Sequence, residues 1–191
     1  MAKIAIVYFS GYGHTAKLAE AVEKGAASAA GASVETFRID GEGNLPDGWL
    51  EKLAAADAIV YGSPTYMGGP AWQFKKFADA TSKAWFTQAW KDKIGAGFTN
   101  SASVNGDKAM TMSYFVTLAM QHGQIWVGTG LMPSNTKAHG PSDVNWTAGQ
   151  TGLLAISPSD ASAEEAPRKG DLETARLFGK RVAEVAVKLR G

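Results

Sequence analysis

Short apolar runs alternate with longer amphipathic segments along most of the chain. The first run, Lys3 to Phe9, is almost entirely apolar and contains several β-branched residues, which is typical of a strand covered on both faces. Between such runs, apolar residues recur at the spacing of a helix face. The pattern predicts strands at residues 3–9, 33–39, 58–61, 94–98 and 124–127, and helices at residues 14–30, 49–55, 71–81, 108–122 and 171–189.

The alternation of strands and helices predicts a doubly wound α/β domain, with a parallel sheet and helices on both faces, that spans residues 1–191 as a single domain. In such folds ligands bind beyond the carboxyl ends of the strands. We therefore expect the loops after the first, third and fourth strands to carry the function. The segment from Gly128 to Pro167 exceeds an ordinary connection, so it is either functional or contains a short element of its own, such as residues 152–156.

The loop after the first strand, Ser10 to Thr15 (loop one), has the composition of a phosphate-binding turn. Its two glycines allow backbone N–H groups to point inward, and the start of the following helix adds partial positive charge. The glycines and Ala16 also match a dinucleotide fingerprint, for which Asp40 would be the acidic ribose-binding residue. A third interpretation is a tight turn in which Thr15 caps the helix.

Two further loops follow the third and fourth strands. Ser63 to Pro70 (loop two) offers Tyr66 and Met67 as a wall for one face of a planar ring, although an ordinary connection with a packed tyrosine is the alternative. Thr99 to Gly106 (loop three) is uncharged and rich in donors and acceptors, which suits either a neutral heterocycle or a polar surface loop. Together the three loops predict a site for a mononucleotide flavin, FMN, with its phosphate at loop one.

Composition narrows the chemistry further. The 191 residues contain no cysteine, which excludes disulfides, thiolate metal sites and cysteine nucleophiles, and no carboxylate cluster suited to a metal is expected. The 19 Lys and Arg residues are balanced by 18 Asp and Glu residues, so we expect no nucleic-acid partner. No apolar stretch approaches the roughly 20 residues of a membrane span, and no secretory signal is visible, so a cytoplasmic protein is expected. Redox chemistry would then depend on a bound organic cofactor.

Four segments of the chain resemble one known family: VYFSGYGHT, YGSPTYMGGPAWQFKKFADATSKAW, TLAMQHG and DLETARLFGKRVAEVAVKL. They are similar to the WrbA-type NAD(P)H:quinone oxidoreductases of the flavodoxin-like superfold, and the resemblance covers nearly the whole chain. It implies a five-stranded sheet of order 2-1-3-4-5. It also implies a homodimer or homotetramer with bound FMN that passes two electrons from NAD(P)H to a quinone or a similar small acceptor.

The resemblance also assigns roles to single residues, none of them an acid–base catalyst. Tyr12 would lie near the nicotinamide nucleotide, and Trp85 would face the quinone. His122 would sit by the pyrimidine edge of the flavin, in its own or a neighbouring subunit. The residues implied to bind FMN are Ser10, Gly11, Tyr12, Gly13, His14, Thr15, Pro64, Thr65, Tyr66, Met67, Gly68, Asn100, Ser101, Ala102, Ser103, Val104, Asn105 and His122.

Simpler roles compete with two of these assignments. His122 precedes Gly123 at the end of a predicted helix, a pattern that also fits a left-handed helix cap without any ligand. Trp85 could be an ordinary core residue. Two other functions also compete with the enzyme, a flavodoxin-type electron carrier and a binding module without flavin. Carriers are generally acidic for docking, so the net charge of +1 favours the enzyme.

Overall fold

Parallel strands form the centre of the structure, which is a computed structural model that describes residues 1–190. The sheet contains seven strands: β1 (Ala2–Phe9), β2 (Ala32–Ile39), β3 (Ala58–Tyr66), β4 (Gly69–Pro70), β5 (Ile94–Ser101), β6 (Ile125–Trp126) and β7 (Leu153–Ile156). Its main path runs β2-β1-β3-β5-β6, with all of these pairs parallel. The predicted order of 2-1-3-4-5 and the doubly wound α/β fold are therefore confirmed.

Six helices cover the two faces of the sheet: α1 (His14–Ala27), α2 (Trp49–Ala54), α3 (Trp72–Ala80), α4 (Ser82–Phe86), α5 (Lys108–Gln121) and α6 (Lys169–Arg190). Alternate residues of β1 face opposite cores because successive side chains of a strand point to opposite sides. Ile4 and Ile6 pack with residues of α1 and α6, whereas Val7 packs with residues of α2, α3 and α5. No helix among residues 1–190 is long and apolar enough to cross a membrane.

The fifth strand position is shared by two short strands. β6 pairs with Ile94 and Gly95 at the start of β5, whereas β7 pairs with residues 98–101 at its end. The segment between them, residues 127–152, therefore lies inside what would otherwise be one strand. The short element predicted at residues 152–156 is confirmed as β7, and its carboxyl end reaches the same edge of the sheet as the end of β5.

Two strands, β3 and β5, extend beyond their predicted carboxyl ends, and β5 continues from Phe98 to Ser101. β3 continues from Tyr61 to Tyr66, and there it pairs with β4 to form a hairpin, so most of loop two is regular structure. The sequence of this extension resembles a loop because it contains polar residues. Ser63 and Thr65 are nevertheless buried, because each has a hydrogen-bond partner. Thr65 Oγ1 lies 2.9 Å from Thr99 Oγ1, and Ser63 Oγ accepts the N–H of Ala71 at 3.0 Å.

Candidate functional site

Loop one forms a turn with free N–H groups. Ser10 Oγ accepts the N–H groups of Gly13 at 3.2 Å and Ala16 at 3.1 Å, which curls the chain into α1. Gly13 has a φ of 93°, a left-handed conformation that suits glycine, and α1 begins immediately after it. Within residues 1–190, the N–H groups of His14 and Thr15 have no protein acceptor. Together with the helix dipole, such groups favour an anion.

Thr15 links loop one to loop three. Its side chain is buried, and its hydroxyl donates to Asn100 Oδ1 at 2.6 Å. The interpretation of Thr15 as a helix cap is therefore wrong, because its hydroxyl is directed across the sheet edge rather than at the backbone of α1. Asn100 is itself buried at the end of β5. This hydrogen bond holds the two loops in a fixed relation.

Loop two carries the tip of the β3–β4 hairpin. Met67 and Gly68 form its two-residue turn with φ values of 47° and 78°, and the Met67 side chain is fully exposed. A methionine in this left-handed conformation is strained, and such strain is often kept at functional sites. Tyr66 packs over loop one, since a Cβ added at Gly11 would lie 2.6 Å from its hydroxyl oxygen. The rings of Tyr12 and Tyr66 meet edge to face at 6.3 Å.

Loop three is held from behind by Lys108, the first residue of α5. The Lys108 ammonium donates to Ser101 Oγ at 2.9 Å and to the carbonyls of Ser103 and Val104, each at 2.8 Å. Burial lowers the pKa of Lys108 to about 8, and the nearby Asp171 carboxylate opposes that shift. Three donated bonds use every N–H of the ammonium. Sequence reasoning missed Lys108, because a lysine at the start of a helix resembles a solvated residue.

Asp171 completes this buried charged group from α6. Burial raises the pKa of Asp171 to about 6, which the N–H of Ile156 and the charge of Lys108 oppose. Its Oδ2 accepts the Ile156 N–H at 3.1 Å, so it secures the end of β7 beside loop three. Loop three and β7 are therefore positioned by charges that lie behind the site.

A fourth wall, which sequence reasoning missed, is formed by residues 157–161 after β7. His14 Nε2 lies 3.0 Å from the carbonyl oxygen of Ala161, which joins this wall to loop one. Ser157 is buried, and its Oγ has no hydrogen-bond partner among the residues that the structure describes. The rule that ligands bind beyond carboxyl strand ends would have found this wall if β7 had been included as a strand.

These four walls enclose the main cleft, which has a volume of about 500 Å³. No charged side chain lines it, as expected for a site that holds a neutral ring and binds phosphate through backbone groups. The unpartnered Ser157 hydroxyl and the free N–H groups of loop one are unused donors at its edge. The lining residues are Tyr12, His14, Thr15, Pro64, Thr65, Tyr66, Asn100, Ser101, Ala102, Ser157, Ser159 and Ala161.

The remaining residues predicted in the three loops are not among those that line the main cleft. Ser10 and Gly13 shape loop one from within, and Gly11 lies beneath Tyr66. Ser103 and Val104 turn their carbonyls towards Lys108. Met67 and Gly68 lie at the hairpin tip, and Asn105 lies near the end of loop three.

His122 does not line the main cleft of its own chain, so the structure does not bring it together with the other predicted flavin-binding residues. It ends α5 at the opposite edge of the sheet, where it is 4% exposed, stacks on Trp90 at 4.2 Å, and has Nε2 2.9 Å from Thr81 Oγ1. Gly123 follows with a φ of 67°, so the helix-cap interpretation is the one that the structure supports.

Trp85 also lies outside the main cleft of its own chain. It sits on α4, which follows Thr81 and therefore belongs to the same edge as His122. Its side chain is 49% exposed, so it is not an ordinary core residue either. Trp85 lies outside the cleft because α3, which precedes it, begins at the hairpin and carries the chain away from the cleft.

Comparison with known proteins decides the family. A family model described as NADPH-dependent FMN reductase matches residues 3–137. The chain belongs to the NADPH-dependent FMN reductase family. The matched part of the chain includes loops one, two and three, and it ends before the fourth wall.

Individual relatives agree with this family and with its flavodoxin-like fold. The chain is 50% identical to flavodoxin FldP of Pseudomonas aeruginosa strain UCBPP-PA14. The alignment spans 189 residues and covers 99% of each protein. A solved structure of a flavodoxin, WrbA-like protein from Agrobacterium tumefaciens is 47% identical, with a TM-score of 0.77 over 98% of this chain and 99% of that one. The predicted resemblance to WrbA-type proteins is thus confirmed. A flavodoxin from the domain Archaea, 21% identical with a TM-score of 0.67 over 97% of this chain and 99% of that one, supports the fold alone.

Proposed function

We propose that this member of the FMN reductase family is an FMN-dependent oxidoreductase that takes two electrons from NAD(P)H and passes them to a quinone or a similar small acceptor. The observation that carries the proposal is the main cleft itself. It combines an anion-binding turn, an uncharged lining and an unpartnered buried hydroxyl, and it opens beside exposed aromatic side chains. A flavin mononucleotide has the matching parts, namely one phosphate, a polyhydroxyl chain and a flat uncharged ring.

The residues present fit FMN. The free N–H groups of loop one, next to Ser10 and Thr15, would hold the phosphate. Ser157 Oγ lacks a partner within residues 1–190, and a ribityl hydroxyl would satisfy it. Thr65 and Tyr66 from the hairpin and Asn100 from loop three would border the ring. Bound FMN would supply the two-electron chemistry between a hydride donor and an acceptor.

The chain's own residues keep this site open to a second molecule. Tyr12 is 79% exposed at the mouth of the main cleft, and Met67 at the hairpin tip is fully exposed. Flat substrates that alternate in one cleft need such an exposed apolar border, because stacking and burial of apolar surface provide most of their binding. We assign Tyr12 to contacts with the nicotinamide nucleotide on this basis.

A carrier function is the second candidate, because the 50% identical Pseudomonas relative bears the name flavodoxin. A carrier exchanges electrons with protein partners and needs no site for NAD(P)H. Net charge argues against this alternative, since 19 basic and 18 acidic residues give no strong acidic field for docking. A cytoplasmic homodimer or homotetramer is also part of the proposal, and sedimentation analysis of the FMN-loaded protein tests the assembly.

The decisive experiment mixes FMN-loaded protein with NADPH or NADH and measures nicotinamide oxidation with and without benzoquinone. We expect quinone-dependent oxidation, and Tyr12→Leu should lower it about tenfold while leaving FMN bound. Phe86→Leu is the matched control, because Phe86 is as exposed as Tyr12 and does not line the cleft. FMN binding without any nicotinamide oxidation, together with two widely separated one-electron potentials, would contradict the enzyme and support the carrier.

A further inference from the structure

A second cleft of about 720 Å³ adjoins the main cleft, and Tyr12 and Tyr66 line both. Its other walls come from the carboxyl ends of β1 and β2, through Phe9 and Ile39, and from the first turn of α3, through Trp72. None of these three residues lines the main cleft. The second cleft is therefore a separate space that meets the first at the tyrosine pair.

The turn that borders this cleft is held in place by the protein itself. Asp40 Oδ1 accepts the N–H groups of Glu42 at 2.9 Å and Asn44 at 2.7 Å, which closes the turn after β2. Lys76 of α3 donates to the Glu42 carbonyl at 2.9 Å and to Asn44 Oδ1 at 2.7 Å. The turn is thus anchored to α3, so this wall of the cleft is preorganised for binding.

The side chains that face this space are apolar. Phe9 and Ile39 are paired in the β1–β2 register and belong to the core on the α3 face of the sheet. Arg38 precedes Ile39 and pairs with Tyr8 of the opposite core, so its side chain points to the α1 face and away from the cleft. The Asp40 carboxylate accepts three hydrogen bonds from its own turn. Neither charged residue of the lining therefore offers a free charge to a ligand.

Three aromatic side chains of the lining keep apolar surface uncovered. Tyr12 is 79% exposed, Trp72 is 60% exposed and Tyr66 is 39% exposed, whereas Phe9 and Ile39 are buried. Exposed apolar surface gathered around a concave space is typical of a ligand site, and a volume between about 300 and 1,000 Å³ suits a small molecule. An alkyl chain is the ligand part that such a lining fits best, because its binding depends on burial of apolar surface alone.

We propose that the second cleft binds the apolar side chain of an acceptor whose ring lies in the main cleft, so that the enzyme prefers quinones with an alkyl chain to small quinones. This inference rests on the proposed function, because it extends the acceptor site. Tyr12 and Tyr66 border both spaces, so ring and chain meet there. Trp72 sets the preference, since it is the exposed aromatic residue that lines the second cleft alone.

The test uses FMN-loaded full-length protein with NADPH or NADH and two acceptors, methylbenzoquinone and hexylbenzoquinone. Wild type should have a kcat/KM at least about tenfold higher for the hexyl compound, because each methylene group buried strengthens binding roughly fourfold. Trp72→Gln should remove most of this preference, and Trp72→Phe should restore it, since phenylalanine keeps an apolar ring. Phe86→Gln is the matched control, because Phe86 is 81% exposed and lines neither cleft.

A binding measurement on wild type is independent of turnover and of the folding of any variant. In isothermal titration calorimetry with FMN-loaded protein, hexylphenol should bind at least about tenfold more tightly than methylphenol. Hexylphenol should also slow amide hydrogen exchange in residues 39–44 and 72–76, which form the walls of the second cleft around β2 and α3. Methylphenol at the same concentration should leave exchange in both segments unchanged.

Two results would overturn the inference. One is wild-type protein that reduces both quinones with equal kcat/KM, and this leaves the proposed function standing. The other is a preference for hexylbenzoquinone that persists in Trp72→Gln, or hexylphenol binding without protection of residues 39–44 and 72–76. By contrast, hexylphenol binding that protects these residues, in a protein that oxidises no nicotinamide, supports the second cleft as a site for apolar chains and contradicts the proposed enzyme.

Discussion

Lys108 and His122 lie near opposite ends of α5, and both are buried titratable side chains. Lys108 adjoins the carboxyl edge of the sheet and holds loop three through three hydrogen bonds. His122 closes the helix at the amino edge, stacked on Trp90, with its Nδ1 unpartnered among the described residues. The two edges are about 23 Å apart along the eight-residue β5. One side chain therefore serves the site and the other serves the fold.

Whether a buried titratable side chain contributes to the site therefore depends more on its position in the fold than on its residue type. Histidine is the residue usually associated with cofactors, and lysine at a helix start is usually solvated. In a parallel α/β sheet, however, a ligand binds at the carboxyl edge, and a residue at the amino edge is remote from it. Substitutions at the two ends of α5 should therefore affect different properties of the protein.

The largest expected effect is a loss of stability at low pH through His122. Burial lowers the pKa of His122 from 6.5 to about 4, so between these values the unfolded chain binds a proton that the folded chain does not. Its contribution is present above pH 6.5 and is lost as the pH falls towards 4. Between pH 7 and pH 4.5, urea unfolding should show that the free energy of unfolding falls by about 2 kcal/mol more in wild type than in a variant without the His122 imidazole.

His122→Gln is the control, since glutamine does not titrate. Asp171 acts in the opposite direction in both proteins, because its raised pKa of about 6 adds stability that is lost as the pH rises from 3.8 through 6. This contribution cancels in the difference between the two proteins. Equal pH dependence of wild type and His122→Gln would contradict the burial of His122 at the helix end.

The next effect concerns Lys108 and FMN. Lys108→Met removes all three hydrogen bonds to loop three, so FMN affinity should fall roughly tenfold to thirtyfold, as measured by quenching of flavin fluorescence. In wild type the affinity should also fall as the pH rises from 7 to 9, because loss of the proton near pH 8 removes one donor. Lys108→Met should lack this pH dependence. A similar decrease in FMN affinity in His122→Gln would contradict the claim that only the Lys108 end of α5 serves the site.

A smaller effect is expected at the bond between loops one and three. Thr15→Val removes the hydroxyl that donates to Asn100 and leaves a buried oxygen unpaired, at a cost of about 1 kcal/mol in stability and about fivefold in FMN affinity. Thr117→Val is the matched control, because its hydroxyl makes an exposed bond within α5. Thermal unfolding and FMN titration measure both. Equal effects of the two substitutions would show that the link between the loops has no special role.

The smallest effect is expected at the hairpin tip, where stability and binding should change in opposite directions. Met67→Asn places a residue that tolerates left-handed backbone in front of Gly68, so the free energy of unfolding should rise by about 0.5 kcal/mol. FMN affinity should fall about twofold, because apolar surface beside the ring is lost. A variant that gains both stability and affinity would show that the strain at Met67 does not serve the site.

Much of this arrangement could be predicted from the sequence because it follows from local patterns. The apolar run of β1 and the glycines of loop one indicated a parallel sheet with a phosphate-binding turn, and the structure places Thr15 and Asn100 together at that edge. Ser157 escaped prediction because the short element expected at residues 152–156 was not assigned to the sheet. The 26 residues 127–152 separate it from β6, so the alternation of strands and helices does not place it beside β5. The position of His122 away from the main cleft could not be predicted, because its burial depends on contacts distant in sequence, with Thr81 and Trp90.

The most direct test of the central claim, that FMN binds at the carboxyl edge, is amide hydrogen exchange with and without FMN. We predict slower exchange in residues 10–16, 64–68, 100–106 and 157–161, which form the four walls of the main cleft. Residues 81–90 and 120–124, at the amino edge around Trp85 and His122, should exchange at unchanged rates. Protection confined to the amino edge, or no protection of loop one and residues 157–161, would contradict the account.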